Sequence, residues 1–223
     1  MNRWTSPVAG RPGRRAVLAL AGAGLLAGCG SLPAAVVGGN PPRLYTLTPK
    51  STYDTALPEV DWQLLVEPPI AAAGLDTVRI ALRERITELE YFASVAWTER
   101  APAMVQTLLV ESFENSGQIV SIGRETFGLR ADYVLKTELR EFQAEYLNAQ
   151  VPSVRVRLNA KLVRMPQRRI VAGENFETLV QAESRVFADI IRAFDAGLGD
   201  VMKDAVQWTL REGERDWRRR GDV

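Results

Sequence analysis

The chain contains no histidine and only one cysteine among its 223 residues. Without histidine it lacks the side chain that most often acts as a general base near neutral pH, and the commonest nitrogen ligand of zinc. Neither a G-x-x-x-x-G-K-[ST] phosphate loop nor a G-x-S-x-G nucleophile motif occurs. Carboxylate pairs such as Glu84 with Glu88 and Glu138 with Glu141 lie in charge-rich stretches, where a solvated face is the usual arrangement. We therefore expect no catalytic site, no metal site and no enzyme activity.

The chain also lacks an excess of either charge, since 28 basic side chains stand against 27 acidic ones. This balance provides no overall field to attract nucleic acid, so we expect no nucleic-acid partner. A hydrophobic content of 46% with 25% charged residues is typical of a globular protein. The length suits one domain with a substantial core, or at most two small ones.

A long apolar run is missing as well, although a short one lies near the N-terminus. Residues 1–15 contain four arginines and no acid, and residues 16–27 contain no charged side chain. A membrane-spanning helix needs about 20 apolar residues, which is more than this stretch supplies. A basic segment followed by a short apolar one is the pattern of a secretory signal.

The single cysteine follows this apolar run directly. Leu26, Ala27, Gly28 and Cys29 are similar to the bacterial lipobox, in which small residues precede the modified cysteine. The resemblance implies cleavage after Gly28, a diacylglyceryl thioether on Cys29 and acylation of the new amine, with no other cofactor. Two or more acyl chains anchor a protein stably. Residues 1–28 are therefore predicted to be a cleaved signal peptide.

Two other interpretations of this region stay open. Cys29 has the alternative of a small buried thiol, because free cysteines are usually core residues. Arg14 and Arg15 also fit a twin-arginine export signal. Gly30 follows the cysteine where, in bacteria that sort lipoproteins by this position, an aspartate signals inner-membrane retention. By that resemblance the expected location is the outer membrane, on its periplasmic face.

The predicted mature chain has three parts. Residues 29–42 are rich in glycine and proline and have no apolar period, which is typical of a flexible tether. Residues 43–212 are predicted to form a single α+β domain. Residues 213–223, with three consecutive arginines, are expected to be a loose basic tail.

The first half of the domain contains short elements. Apolar segments that end at prolines or polar residues predict strands near 43–48 and 62–66, and two short strands within 77–98. Apolar residues then recur three or four positions apart, which predicts a helix over 102–115 that stops at Gly117.

The second half predicts three long strands and a long helix. Residues 153–163 alternate apolar and polar side chains, and residues 132–146 do so with a shift of phase near Phe142 that indicates a bulge. Residues 169–182 form the third strand, and one side of it is expected to carry Ile170, Ala172, Phe176 and Val180.

An apolar stripe of helical period runs from about residue 185 to residue 211. We expect this helix to pack on the sheet, with a lipid-binding face as the alternative and a kink open at Gly197 and Gly199. The predicted fold class is therefore α+β, an antiparallel meander packed against a short central helix and a long C-terminal helix.

The order of these pieces resembles the ABC-type transport auxiliary lipoprotein component family. A lipobox and spacer come first, followed by an R-L-Y-T-L strand, a V-E-P-P segment, a short helix, an A-D-Y-V-L strand and a long helix. The residues that carry the resemblance are Tyr45, Leu47, Trp97, Pro102, Asp132, Tyr133, Val134, Leu135 and Phe142.

The resemblance implies a lipoprotein of the outer membrane that serves an ABC system moving lipids between the inner and outer membranes. Its expected partner is a mammalian-cell-entry (MCE) protein that bridges the periplasm. Members are accessory components rather than ATPases, in agreement with the missing phosphate loop. Whether the chain forms a homo-oligomer stays open.

Three mechanisms fit this expectation. A docking module would bind the bridge protein through a sheet edge or exposed strand face, with Arg155, Arg157 and Lys161 adding charge complementarity. A carrier would hold phospholipid in a cavity between helix and sheet. The third alternative is an envelope assembly lipoprotein unrelated to transport.

Overall fold

The computed structural model describes residues 41–54, 56–124, 130–147 and 149–221. The predicted signal peptide and lipobox, and almost all of the predicted tether, lie outside these residues. The part from Pro41 onward forms one unit of nine strands and two helices. The expected α+β class, with a short central helix and a long C-terminal helix, is confirmed.

The elements, in chain order, are β1 (Arg43–Tyr45), β2 (Leu64–Val66), β3 (Ile70–Ala71), β4 (Arg79–Arg83), β5 (Glu90–Trp97), α1 (Ala101–Ser116), β6 (Ile122–Gly123), β7 (Tyr133–Glu145), β8 (Ser153–Arg164), β9 (Arg169–Gln181) and α2 (Phe187–Gly221).

Strand β7 organises the sheet. One of its edges pairs with β8, which pairs with β9, and both pairings are antiparallel, as the predicted meander requires. Its other edge is shared by β2, β3 and β4, which pair with successive segments of β7 in parallel. Strand β6 extends the sheet beyond β2, while β5 and β1 extend it beyond β4. The parallel neighbours were not part of the sequence prediction.

The alternation along β8 gives the sheet two different faces. Its inward side chains are completely inaccessible to water, each with 0% exposure: Val154, Val156, Leu158, Ala160 and Leu162. Helix α2 covers this inner face. In β7 the register shifts between Leu139 and Glu141, which confirms the predicted bulge. The extra residue, Arg140, returns Phe142 to the inner face beside Val156.

The prediction for Ile170 is wrong. The register of β8 against β9 shifts between Leu162 and Val163, so that Val171 is the unpaired residue. Ile170 therefore pairs with Val163 and lies on the face opposite Ala172, with 55% of its surface exposed. A bulge moves every side chain beyond it to the opposite face of the sheet. The sequence of β9, read as a simple alternation, gives no sign that a bulge is present.

Helix α1 begins and ends where the sequence indicates. Pro102 lies in the first turn, where its missing N–H has no intrahelical acceptor to lose. Gly117 caps the C-terminus at φ 66°, a left-handed conformation that favours glycine. Inside the core, the Gln106 amide donates to the Val66 carbonyl oxygen at 2.8 Å, which ties α1 to β2.

Helix α2 differs from the expectation at its C-terminal end. It continues through Gly221 instead of ending near residue 211, so the part of the expected loose tail that the structure describes is helical. Trp217 packs against Tyr133 with ring centroids 6.5 Å apart, and this contact holds the last turns on the sheet. The helix is also unbroken at Gly197, where an added Cβ would lie 3.3 Å from Val156. That glycine allows a close approach to the sheet.

The space between α2 and the sheet is filled by side chains. Trp97, Phe142 and Phe194 form a cluster with ring centroids 5.1 to 5.5 Å apart. A cavity wide enough for an acyl chain would leave its lining accessible to water, whereas Phe194 and the inward residues of β8 have 0% exposure. The helices of the described residues include none that is both long and apolar enough to span a bilayer.

Candidate functional site

The outer face of the sheet, opposite α2, carries the polar half of the strand alternation. Pairing of β7, β8 and β9 arranges its side chains in rows that run across the strands. The face divides into two ends. The network end is defined by Arg83, Glu141, Gln143, Glu145, Arg155, Arg157 and Glu177, and the groove end by the lining of a surface groove described below.

At the network end, cations and carboxylates neutralise each other. Arg155 Nε lies 3.1 Å from Glu145 Oε1, and its guanidinium also pairs with Glu177. Arg157 Nε donates to Glu177 Oε2 at 2.9 Å. Arg83 pairs with Glu141 at 3.1 Å. Because each arginine already has a carboxylate partner, this end has little free charge to offer another molecule.

Hydrogen bonds from Arg157 and then Arg155 hold the pKa of Glu177 below its usual value of 4.5. The same Glu177 carboxylate raises the pKa of Arg157. Charged forms of both partners are therefore favoured, and the network end is a set of ion pairs across the four strands β4, β7, β8 and β9. It stabilises the register of β8 against its neighbours.

At the groove end, an apolar row crosses four strands. Leu65 of β2 lies beside Val134 of β7, which pairs with Val163 of β8, and Val163 pairs with Ile170 of β9. Val134 and Val163 are buried, while Ile170 at the end of the row is exposed. These four side chains form the floor of a groove with a volume of about 930 Å³.

Charged side chains surround this floor, and cations outnumber carboxylates by five to two. The groove lining includes the cations Arg130, Lys136, Lys161, Arg168 and Arg220 and the carboxylates Glu67 and Asp132. Lys136 Nζ is bound by Glu67 at 2.6 Å, and Asp132 accepts the backbone N–H of Gln63 at 3.0 Å. Both carboxylates are thus already engaged within the protein.

Lys161 has no carboxylate partner within 4.0 Å in the part of the chain that the structure describes. Its cross-strand neighbour on β9 is Gly173, which has no side chain to cover or neutralise it. A Cβ at Gly173 would lie 3.9 Å from Lys161 Cγ and 3.6 Å from the Ala160 carbonyl oxygen, so the site has room for a side chain. The ammonium group of Lys161 is consequently open to the groove.

Alternate side chains of the A-D-Y-V-L segment line the groove on one face of β7 and anchor helix α2 on the other. Asp132 and Val134 line it, while Tyr133 between them points inward. The Tyr133 hydroxyl donates to Asp216 Oδ2 at 2.8 Å, and Arg164 Nη1 donates to the same carboxylate at 3.2 Å. Burial, followed by the hydrogen bond to Asp216, raises the pKa of Tyr133. The end of α2 is thereby fixed beneath the groove.

Strand β9 leaves one long edge of the sheet open. It runs for 13 residues and pairs only with β8 among the described strands. Its outer face carries two exposed apolar side chains, Ile170 at the groove end and Leu179 at the network end, with 55% and 53% exposure. An unpaired edge with apolar side chains is a template for an added strand.

The structure separates the three residues predicted to bind a partner. Arg155 and Arg157 belong to the network end, whereas Lys161 lies in the groove. Sequence reasoning missed the apolar floor, because Leu65 and Val134 read as ordinary strand residues and only strand pairing aligns them with Val163. The lipobox with Cys29 lies outside the described residues, so its lipidation stays a prediction. No group of side chains in the described segments is arranged to hold a metal ion.

Comparison with known proteins supports the resemblance. Residues 45–206 match the model of a family described as the ABC-type transport auxiliary lipoprotein component. An uncharacterised protein of Bradyrhizobium diazoefficiens is 29% identical over 170 residues, which cover 72% of this chain and 45% of that protein. The match therefore spans less than half the length of that relative.

Solved structures share the fold. A crystal structure of a Xanthomonas campestris protein has a TM-score of 0.75 and 34% identity, with 78% of this chain and 98% of that chain covered. The crystal structure of another uncharacterised protein has a TM-score of 0.58 at 12% identity, covering 75% of this chain and 97% of that chain. The second likeness concerns the fold alone.

Proposed function

This chain belongs to the ABC-type transport auxiliary lipoprotein component family, and from that premise we propose that it docks the periplasmic bridge protein of a lipid-transporting ABC system at the outer membrane. The family is a transport auxiliary family rather than an enzyme family. Within the proposal, Cys29 carries the lipid anchor, the domain faces the periplasm, and the partner is an MCE-type protein. Each of these is an inference from the sequence resemblance.

The open edge of β9 is the observation that carries the docking proposal. A strand added there would gain backbone hydrogen bonds along as many as 13 residues without needing special side chains. Leu179 lies next to that edge on the outer face and would be covered by the added strand. The bulge at Val171 and the charges of Glu174 and Glu177 protect the edge against indiscriminate pairing.

The filled interior favours docking over the carrier hypothesis. The predicted lipid cavity would lie between α2 and the sheet, where the inward side chains of β8 and Phe194 have 0% exposure. Opening that space for an acyl chain would separate the Trp97, Phe142 and Phe194 rings and forfeit their contacts.

The test is an affinity pull-down from envelope membranes after crosslinking. We expect the native chain to recover an MCE-type protein, and Leu179→Lys to reduce the recovery about ten-fold or more, as the loss of an interface anchor does. Val120→Lys is the matched control, because Val120 is apolar, 93% exposed and precedes β6, away from β9. Cys29→Ala should lose outer-membrane fractionation.

Failure to recover an MCE-type protein with the native chain would overturn the docking proposal, and recovery of envelope assembly proteins instead would favour the structural lipoprotein. Equal recovery of the partner by Leu179→Lys and Val120→Lys would show that the docking surface does not include the network end of β9. Normal outer-membrane fractionation of Cys29→Ala would refute the anchor.

A further inference from the structure

We propose that the groove end of the outer face binds one anionic amphiphile, a molecule with a phosphate or carboxylate head and an acyl chain. This site lies on the opposite side of the sheet from the cavity that a helix-covered carrier would need. It requires neither the MCE-type partner nor the edge of β9, so it stands apart from the docking function.

The head of such a ligand is matched by the charges of the groove. Of the five lining cations, only Lys136 is paired with a carboxylate of the described chain. Lys161, Arg130 and Arg168 have no carboxylate partner within 4.0 Å there, and Arg220 lies over the Trp217 ring at 4.8 Å. The predicted mature chain is mildly acidic overall, because signal removal takes away four arginines and no acid. The groove is therefore a local cationic site on an acidic protein.

The acyl chain is matched by the floor. Leu65, Val134, Val163 and Ile170 form a continuous apolar row across four neighbouring strands. With strands about 4.8 Å apart, the row is about 14 Å long. Burial of a chain against this row would cover Ile170, a large apolar side chain that the fold leaves exposed.

Geometry favours a single amphiphile over an acidic peptide or a membrane surface. The apolar row runs across the strands, whereas a peptide added to β9 would run along them, at right angles to the row. Val134 and Val163 are recessed, with 6% and 5% exposure, so a flat bilayer surface would not reach them, and a chain in the groove would bury mainly Leu65 and Ile170 at the two ends of the row. An acyl chain that enters the groove, with its anionic head group next to Lys161, can lie across the strands and can also reach the recessed floor.

Photo-crosslinking of the full-length chain in cells tests this assignment. A p-benzoylphenylalanine at Ile170 is compared with one at Leu179, which lies on the same strand and face with nearly equal exposure in the free chain, and with one at Val120, which is exposed and lies away from β9 and any partner docked there. After irradiation, the adducts are identified by mass spectrometry. We expect acyl-amphiphile adducts at Ile170 and about five-fold fewer at Leu179 and at Val120, a difference equal to the effect of one cation near an anionic lipid.

Competition and charge variants identify the chemistry. With the purified Ile170 crosslinking protein, dihexanoyl phosphatidylglycerol should compete with the adduct, whereas dihexanoyl phosphatidylcholine and inorganic phosphate should not. Lys161→Gln and Arg168→Asn should each lower the adduct yield about five-fold. Lys161→Arg should retain it, because the charge is kept. Asparagine suits residue 168, whose φ is 54°.

Each other outcome overturns the assignment. Equal adducts at Ile170 and Leu179 would mean nonspecific proximity to lipid, and competition by phosphate alone would mean an anion site without a chain. A protein adduct at Ile170 without lipid would assign the groove to an acidic partner segment. Because lipid and protein adducts differ in mass, failure of this assignment is distinct from failure of the docking proposal.

Discussion

The two ends of the outer sheet face look alike in sequence and differ in structure. Both are built largely from the outward positions of β7, β8 and β9. At the network end, Arg155 meets a carboxylate on each neighbouring strand, and Arg157 meets Glu177 on β9. At the groove end, the neighbour of Lys161 on β9 is Gly173 and its neighbour on β7 is Lys136. The charge that a strand presents thus depends on the strands that pair with it.

This difference assigns separate roles to residues of one alternating row. The arginines stabilise the fold, because their charges are used within the protein. Lys161 contributes little to the fold and keeps its charge for a ligand. Variants that remove a charged side chain from one end or the other test this difference directly.

The largest expected effect comes from breaking the network end. Arg155→Ala removes the cationic partner of Glu145, whose side chain is only 8% exposed, and leaves a nearly buried carboxylate with the Gln143 amide as its remaining hydrogen-bond donor among the described residues. We expect a loss of about 3 kcal/mol in the free energy of unfolding. Lys161→Ala, on the same strand, should change it by no more than about 0.5 kcal/mol. Urea unfolding of the two variants beside the native protein measures both values.

Arg155→Lys serves as the control for this comparison, because it keeps the charge but loses part of the guanidinium geometry. It should fall between the native protein and Arg155→Ala. Equal effects of Arg155→Ala and Lys161→Ala would remove the distinction between the two ends.

A smaller effect is expected beneath the groove. Tyr133→Phe deletes the hydroxyl that donates to Asp216 at 2.8 Å and thereby loosens the end of α2. A hydrogen bond to a charged group contributes about 1.5 kcal/mol or more, so we expect destabilisation of that size. Hydrogen exchange should speed up mainly in the last turns of α2, around Trp217. Uniform loss of protection across the sheet would contradict a local clamp.

The smallest effect concerns pH. Because Arg157 and Arg155 lower the pKa of Glu177, its ion pairs add stability that is fully present above about pH 4.5 and is lost as the pH falls through the lowered folded value. Carboxyl NMR of Glu177 should show a midpoint below 4.5, the group's ordinary value. Arg157→Gln should move that midpoint upward, and an unchanged midpoint would show that Arg157 does not hold the carboxylate.

Much of the fold could be predicted from the sequence, because local patterns determine it. The alternation in residues 153–163 predicted β8, and the three- and four-residue spacing before Gly117 predicted α1. The pairing of β2, β3 and β4 along one edge of β7 could not be predicted, since contacts distant in sequence decide it. The C-terminal end of α2 could not be predicted for the same reason. In the sequence Asp216 and Trp217 belong to a polar segment, and only the folded structure brings Tyr133 into contact with them.

The candidate site was predicted only in part. Lys161 was chosen for its place in a polar row, and that row gave no sign that its companions Arg155 and Arg157 meet carboxylates. The alternation along β9 assigned Ile170 to the core, whereas a single bulge at Val171 places it on the groove floor. Sequence patterns thus indicate which face a residue tends to occupy, whereas register decides what lies next to it.

One measurement tests the central claim, that unneutralised charge makes the groove end a recognition site, most directly. Gly173→Glu places a carboxylate across from Lys161, where an added Cβ has room, and changes no residue of the network end. Gly173→Gln is the control of equal size without the charge. The account predicts that Gly173→Glu, and not Gly173→Gln, lowers the lipid adduct of the Ile170 crosslinking protein about five-fold while both keep the same unfolding midpoint. An undiminished adduct with Gly173→Glu would contradict it.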